Sequence, residues 1–422
     1  MKNLNIIYVL LFNFIFLSSN AQESKPDTLT KAIEQLQSDV ALLKNLKITG
    51  YIQTQVQFAD SSGISSYAGG NFPANTDKRF QVRRGRLKFA YSSNTWSQFV
   101  VQFDITENGF KTKDAYAKFT DPFINYFTLT GGVFNRPWGY EIEYSSSLRE
   151  SPERTRFNQT VFKDERDLGA MLTIQAPKTS RFNFIKLDVG LFSGTAINPD
   201  FDKFKDLITR LNFTKSYCDE KLKLSADLSY YYGGFANQTV SLYKFWVDDN
   251  GVKRMDAKHV DQFSRAKREL FGADIQVLYD APWGLTTLRG EYAKGQQAAL
   301  QGDATSPMTS PGATGNAYVR QTAGYYIYFV QNIAQSRHSI VIKYDVYDPN
   351  TQISGNDIIA ANGFTKADVK YNTLGLGYAC RLDANTKLMI YRDLVANEKT
   401  ALSGYTQDLK DNVWTIRLQY KF

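Results

Sequence analysis

The chain has 422 residues, with 50 Lys and Arg against 42 Asp and Glu, a formal net charge of +8. A soluble chain of this length would divide into two or more domains, yet 5 Trp, 26 Tyr and 29 Phe sit on a polar background of mean hydropathy −0.38, as in a protein that meets lipid with half its residues and water with the rest. Two cysteines, Cys218 and Cys380, and two histidines, His259 and His338, exclude a disulfide framework, a Cys-based zinc site and most histidine-dependent catalysis.

Residues 1–21 have the pattern of a secretory signal peptide. Lys2 supplies the positive region, Ile6 to Leu17 the apolar stretch, and Ser19-Asn20-Ala21 a small-residue cleavage site. The apolar stretch is too short to cross ~30 Å of hydrocarbon, and nothing later offers the roughly 20 consecutive apolar residues of a membrane helix. Residues 22–46 are expected to be a periplasmic coiled-coil segment. Leu29, Ile33, Leu36, Val40 and Leu43 follow the heptad spacing, and Asp27 and Thr28 can cap the helix start. So short a helix is marginal alone in water. A self-associating stalk is the favoured reading, and an amphipathic helix packed on its own domain the bland one.

From Lys47 to Phe422 the chain changes character. Segments of about ten residues alternate apolar and polar with period two, separated by Gly, Asn, Asp and Pro turns. Leu87, Phe89 and Tyr91 share a face with Gly85, opposite Arg84, Arg86 and Lys88. Phe99, Val101 and Phe103 oppose Gln98, Gln102 and Asp104. His338, Ile340, Ile342, Tyr344 and Val346 oppose Arg337, Ser339, Lys343 and Asp345. The last segment is the clearest, with Trp414, Ile416, Leu418, Tyr420 and Phe422 against Thr415, Arg417, Gln419 and Lys421.

Such segments begin near residues 47, 79, 95, 111, 126, 167, 183, 206, 221, 268, 284, 318, 337, 369, 385 and 413. The fold expected is all-β, a transmembrane antiparallel barrel of about 16 strands. A soluble sandwich would also alternate. Against it stand the export signal, rings such as Trp96, Tyr126, Tyr230 and Trp283 near segment ends, and the aromatic C-terminus. Short connections such as 92–94 and 383–385 alternate with long ones at 59–78, 135–166, 234–267, 295–317 and 348–368. The long ones are expected on the outer surface.

Three segments carry a family resemblance. GGVFNRPWGYEIEYSSSLRESPERTRF, from Gly131, resembles the strand-and-loop signature of the phosphate-selective porin O and P family. The basic strand FQVRRGRLKF and the closing RLQYKF match that layout, as does the helical N-terminus. The resemblance covers the mature chain in architecture. It implies a 16-stranded homotrimeric outer-membrane porin that passes small anions, in some relatives phosphate, with loop 135–166 folded back into the pore.

An anion path needs cations exposed to lumen water, strong enough to admit an ion and weak enough to release it. Arg84, Arg86 and Lys88 on one strand face are the candidates, about 6.6 Å apart. Ordinary cross-lumen pairing is the bland reading of the same residues. Within the loop the constriction candidates are Arg136, Arg149, Arg154 and Arg156. With Lys163 and Arg166 they face Glu141, Glu143, Glu150, Glu153, Asp164, Glu165 and Asp167, so the stretch is nearly neutral, unlike a strongly basic phosphate constriction. The overall cationic excess points to mild anion preference, although some of it is expected on outer loops facing lipopolysaccharide, as at Lys253-Arg254 and Arg265 to Arg268.

Other classes have less support. Neutral solutes such as sugars would want a continuous lumenal aromatic ladder, and Tyr116, Tyr347 and Tyr391, which could face inward, do not make one. A surface-loop adhesin is compatible with the loop lengths. A barrel hydrolase would need a Ser beside a His, but His338 and Ser339 point to opposite faces. Export and strand alternation argue against nucleic acid as a partner. No cofactor is expected, and the partners are membrane lipid, lipopolysaccharide and small solutes.

Overall fold

A computed structural model describes residues 28–312 and 315–422. Residues 1–21, expected to be a signal peptide, lie outside them. The described residues up to Asn45 form one compact unit and Leu46–Phe422 another. The first contains helix α1, Thr28–Lys44, on which Ile33, Leu36 and Val40 are exposed.

The second unit begins with β1 (Leu46–Ala59), β2 (Lys78–Tyr91), β3 (Ser97–Thr106), β4 (Gly109–Thr120) and β5 (Phe127–Asn135). A short helix, α2 (Arg156–Val161), precedes β6 (Arg166–Gln175), β7 (Ile185–Phe192), β8 (Asp206–Tyr217) and β9 (Leu222–Ala236). Then come β10 (Ser241–Val247), β11 (Lys253–His259), β12 (Arg265–Ala281), β13 (Gly284–Leu300) and β14 (Ala317–Asn332). The chain ends with β15 (His338–Asp348), β16 (Tyr371–Arg381), β17 (Thr386–Asn397) and β18 (Val413–Lys421).

Each wall strand pairs antiparallel with the next, β9 pairs with β12, and β18 closes on β1. The result is a closed 16-stranded antiparallel barrel, which leaves the wall no unpaired edge. Closure follows from the alternation. On β18, Thr415, Arg417 and Gln419 are buried inward while Trp414, Ile416, Leu418 and Tyr420 are exposed outward. Across the wall, β12 turns Phe271, Ile275 and Tyr279 outward and buries Arg268, Asp274 and Gln276. Trp96, Tyr126 and Trp283 are exposed at the end of the barrel with short turns, where an interfacial girdle belongs.

One long connection is not a plain loop. Residues 237–264 contain the hairpin β10–β11, and Leu242–Lys244 of β10 run parallel to Ala317–Val319 of β14. The strands number seven residues each; β11 (KRMDAKH) is charged at nearly every second position and β10 (SLYKFWV) only at Lys244, and both are shorter than the wall strands, so the hairpin does not stand out as barrel wall. Met255 of this hairpin joins Tyr318, Ile353, Ile358, Phe364, Val369 and Leu402 in an apolar cluster that organises the long-loop end. Arg320 Nε donates to Asp368 Oδ1 at 2.8 Å in a fully buried pair beneath it, and Asn350 Nδ2 donates to the same oxygen at 3.0 Å.

Arg320→Ala would leave Asp368 charged and buried, an expected loss of roughly 3–5 kcal/mol. Loop 349–370 should then become cleavable by protease added to the folded barrel while the strands stay protected. A loop that remains resistant would show that the apolar cluster alone holds it.

Candidate functional site

Residues 136–165, between β5 and β6, fold into the lumen. Their local structure begins with a cap, because Thr155 accepts the Asn158 backbone N–H and starts α2. Glu141 accepts from the Thr155 N–H at 2.9 Å, the Thr155 hydroxyl at 2.8 Å and Asn158 Nδ2 at 2.9 Å, which closes the loop on itself.

One face of this inner loop is apolar. Trp138, Ile142, Phe157, Val161 and Phe162 pack against Phe134, Phe192, Ile208, Tyr231, Leu270 and Tyr347 of the wall. Trp138 is 0 % exposed, with ring centroids 4.9 Å from Phe162 and 6.5 Å from Tyr231. Two glycines of the wall permit this approach. A Cβ at Gly272 would lie 2.8 Å from Trp138 Cζ2, and one at Gly324 would lie 2.5 Å from Phe157 Cδ2. The lumen is therefore not water-filled throughout at this level, since an apolar core occupies the sector toward β7–β9, β12 and β15.

Polar ties hold the rest of the loop. Tyr51 Oη and Ser146 Oγ lie 2.6 Å apart, and Gln419 Nε2 donates to the Ser147 carbonyl at 3.0 Å. Arg289 donates to both oxygens of Glu150 at 2.8 and 3.0 Å. Glu291 accepts from the Tyr140 and Glu141 N–H groups, each at 3.3 Å.

Beside the apolar sector, with Phe162 common to both, a cavity of about 360 Å³ opens between the loop and the β2–β4 wall. Its lining carries the cations Arg83, Arg84, Arg86, Lys113, Arg154 and Lys163 and the carboxylates Asp104, Glu153, Asp164 and Glu165. The centre of this lining is Glu153. Arg83 bonds its two oxygens at 2.9 Å each, Arg84 bonds them at 2.7 and 3.3 Å, and Arg417 Nη2 reaches Oε1 at 2.8 Å. Burial alone would raise the Glu153 carboxyl, but Arg83, Arg84 and Arg417 outweigh it and hold it well below the ordinary carboxylate range. Because that value is depressed on folding, the clamp's contribution to stability is present above the ordinary carboxylate range and is lost only as pH falls through the depressed value.

The cations expected from sequence reach different ends. Arg84 is buried on Glu153, and Arg86 Nε lies 3.6 Å from Asp104 Oδ2. Lys88, one step closer to the short-turn end, is half-buried and outside the cavity lining. Arg136 Nε is 3.3 Å from Asp167 Oδ2, behind the loop. Arg154 pairs with Glu165 at the cavity. Arg156 is stacked between Tyr67 and Tyr371, 4.4 and 3.6 Å from the ring centroids. Arg149 is 2 % exposed, and its guanidinium nitrogens meet no hydrogen-bond acceptor among the described residues.

Two members of the clamp lay beyond sequence reasoning. A register shift opposite Gln53 and Thr54 makes Arg83 an extra residue in β2, so adjacent arginines both reach Glu153. Arg417 is legible as a lumenal residue, but its meeting with Glu153 spans the barrel closure. Elsewhere, Tyr347 and Tyr391 are buried in separate apolar clusters, and Tyr116 packs against the first of these, so the three form no ladder along the cavity. His338 Nδ1 lies 2.5 Å from the Tyr378 hydroxyl, and Ser339 donates to Asn332 at 2.8 Å, so no Ser–His pair forms there.

No family model matches the chain, and no curated protein matches it in sequence. Among solved structures it is similar to OprB of Pseudomonas putida, with a TM-score of 0.58 and 11 % identity over 92 % of this chain and 97 % of that one. It is also similar to an anion-selective porin from Comamonas acidovorans, with a TM-score of 0.53 and 12 % identity over 89 % of this chain and 99 % of that one. The outer membrane channel DcaP of Acinetobacter baumannii gives 0.51 and 11 % over 89 % and 97 %. At these identities the likeness establishes the fold, which is the barrel of outer-membrane porins.

Proposed function

We infer that the protein is an outer-membrane porin, exported by residues 1–21, through which small, preferentially anionic solutes diffuse passively. The observation that carries this reading is the charge of the cavity lining, six cationic side chains against four carboxylates beside the β2–β4 wall. A lining of one net sign raises the local concentration of the opposite ion. Paired arginines that retain a net positive field attract anions without binding them so tightly that conduction stops. The proposed path runs past Arg84 and Arg86, with Lys88 further along the same face. The Comamonas porin is anion-selective, which agrees with this preference. Phosphate is the most specific solute the family resemblance suggests, and a homotrimer the assembly. The protein is proposed to be a channel and not an enzyme.

The test is the reversal potential of the purified protein in a planar bilayer under a KCl gradient. It should report anion preference, and Arg84→Ala with Arg86→Ala should reduce it. Unchanged selectivity in the double variant would sink the assignment of those two residues. Cation preference in the wild type would sink the whole reading.

A further inference from the structure

The clamp around Glu153 has an asymmetry that its role as a pore wall does not require. Its three guanidiniums belong to β2 and β18, the closed wall, whereas the carboxylate they hold belongs to the inner loop. Wall groups fix two of the arginines independently of Glu153. Gln53 Oε1 accepts from Arg84 Nη1 at 3.0 Å, and Gln55 Oε1 accepts from Arg417 Nε at 2.9 Å. Both glutamines are buried, at 2 % and 4 % exposure, in the β1 segment that joins β2 to β18. Arg417 Nη1 also donates to the carbonyl of Pro152, the loop residue before Glu153, at 2.6 Å.

The cluster thus has the form of a receptor. Planar donor forks converge from two directions on a pair of oxygens, the geometry that suits carboxylate or phosphate groups and not a spherical halide. Three positive charges face one negative charge, and the seat borders the 360 Å³ cavity, so a solute there reaches it without crossing the apolar sector.

We propose that Arg83, Arg84 and Arg417 form an oxyanion-binding seat, and that Glu153 is a tethered competitor occupying it. The inference rests on the channel reading above and names what that channel discriminates. A group tethered by a short segment is present at an effective concentration in the millimolar range. A passing carboxylate or phosphate must displace it, so the tether keeps the residence of oxyanions short and lets them pass where an empty seat would retain them. Chloride offers no paired oxygens and is affected only through the field.

The experiment uses the full chain and empties the seat with Glu153→Ala. In a bilayer carrying chloride current, inorganic phosphate should block this variant at a concentration roughly tenfold or more below that needed for the wild type. In parallel, acetate should raise the thermal unfolding midpoint of the variant and leave the wild type unmoved, because it refills the vacated seat. Glu153→Gln preserves side-chain volume and is the paired variant if alanine releases the loop; its amide should also fail to compete, so phosphate block should strengthen in it as well. Equal phosphate block in wild type and both variants, with no acetate effect, would overturn the proposal. The acetate measurement needs no current, so absence of anion preference in the wild type would refute the channel reading while leaving the seat to be judged by the thermal shift alone.

Discussion

Trp138→Ala should loosen the apolar face of the inner loop from the barrel wall. The indole is fully buried against Phe162, Tyr231 and the backbone at Gly272. Removing an aromatic ring of this kind costs about 3–5 kcal/mol, a large share of what one 30-residue loop gains by docking. The apolar partners Phe157, Val161 and Phe162 would lose their common contact, whereas the ties of Ser146, Ser147 and Glu150 to the wall would remain. The barrel itself should persist, because its strand ladder does not pass through the loop. Single-channel conductance should therefore rise as the apolar sector opens to water, and the loop should become sensitive to protease. Unchanged conductance with a protected loop would mean that the polar ties alone determine its position.

That loop also marks the limit of what the sequence reveals. The wall is legible because strand alternation is a local, repeated signal, and all sixteen wall strands begin within three residues of the positions read from the sequence. The lumenal face of β18 and the charged face of β2 follow from the same period. The hairpin β10–β11 is missed because its strands are short and β11 is charged along most of its length, so nothing local shows that Met255 and Tyr243 find partners around Tyr318. The apolar face of the inner loop is missed for a related reason. Trp138 and Ile142, and Phe157 and Val161, are each only one four-residue step, too short a run to read as an apolar face, so only the fold shows that with Phe162 they form one surface. Arg83 is hidden by the bulge, which breaks the alternation from which lumenal residues are chosen. Glu153 appears in the sequence as one acid among seven in its stretch. Its three arginine partners come from positions 70, 69 and 264 residues away, and no local pattern carries that information.

The opposite expectation concerns charge, not packing, and can be reached without touching the Glu153 clamp. Lys113 and Lys163 line the same cavity, the first with its Nζ 3.8 Å from Asp164 Oδ1 and the second exposed. Lys113→Glu together with Lys163→Glu changes the lining from six cations and four carboxylates to four cations and six carboxylates. The net sign reverses, and with it the ion that the cavity concentrates. Within a Debye length of about 8 Å at physiological salt, charges along a narrow wall act on a passing ion nearly unscreened. The reversal potential under a KCl gradient should therefore change sign, and the change should shrink as ionic strength is raised. Structural cost is expected to be small at Lys163, which is exposed, and larger at Lys113, whose side chain is 14 % exposed and whose replacement sets a carboxylate beside Asp164. Protease protection of the loop would confirm that it has stayed in place. Should the variant remain anion-selective with its loop docked, ions would be passing by a route other than the β2–β4 cavity, and the selectivity would have to be assigned to cations elsewhere on the barrel.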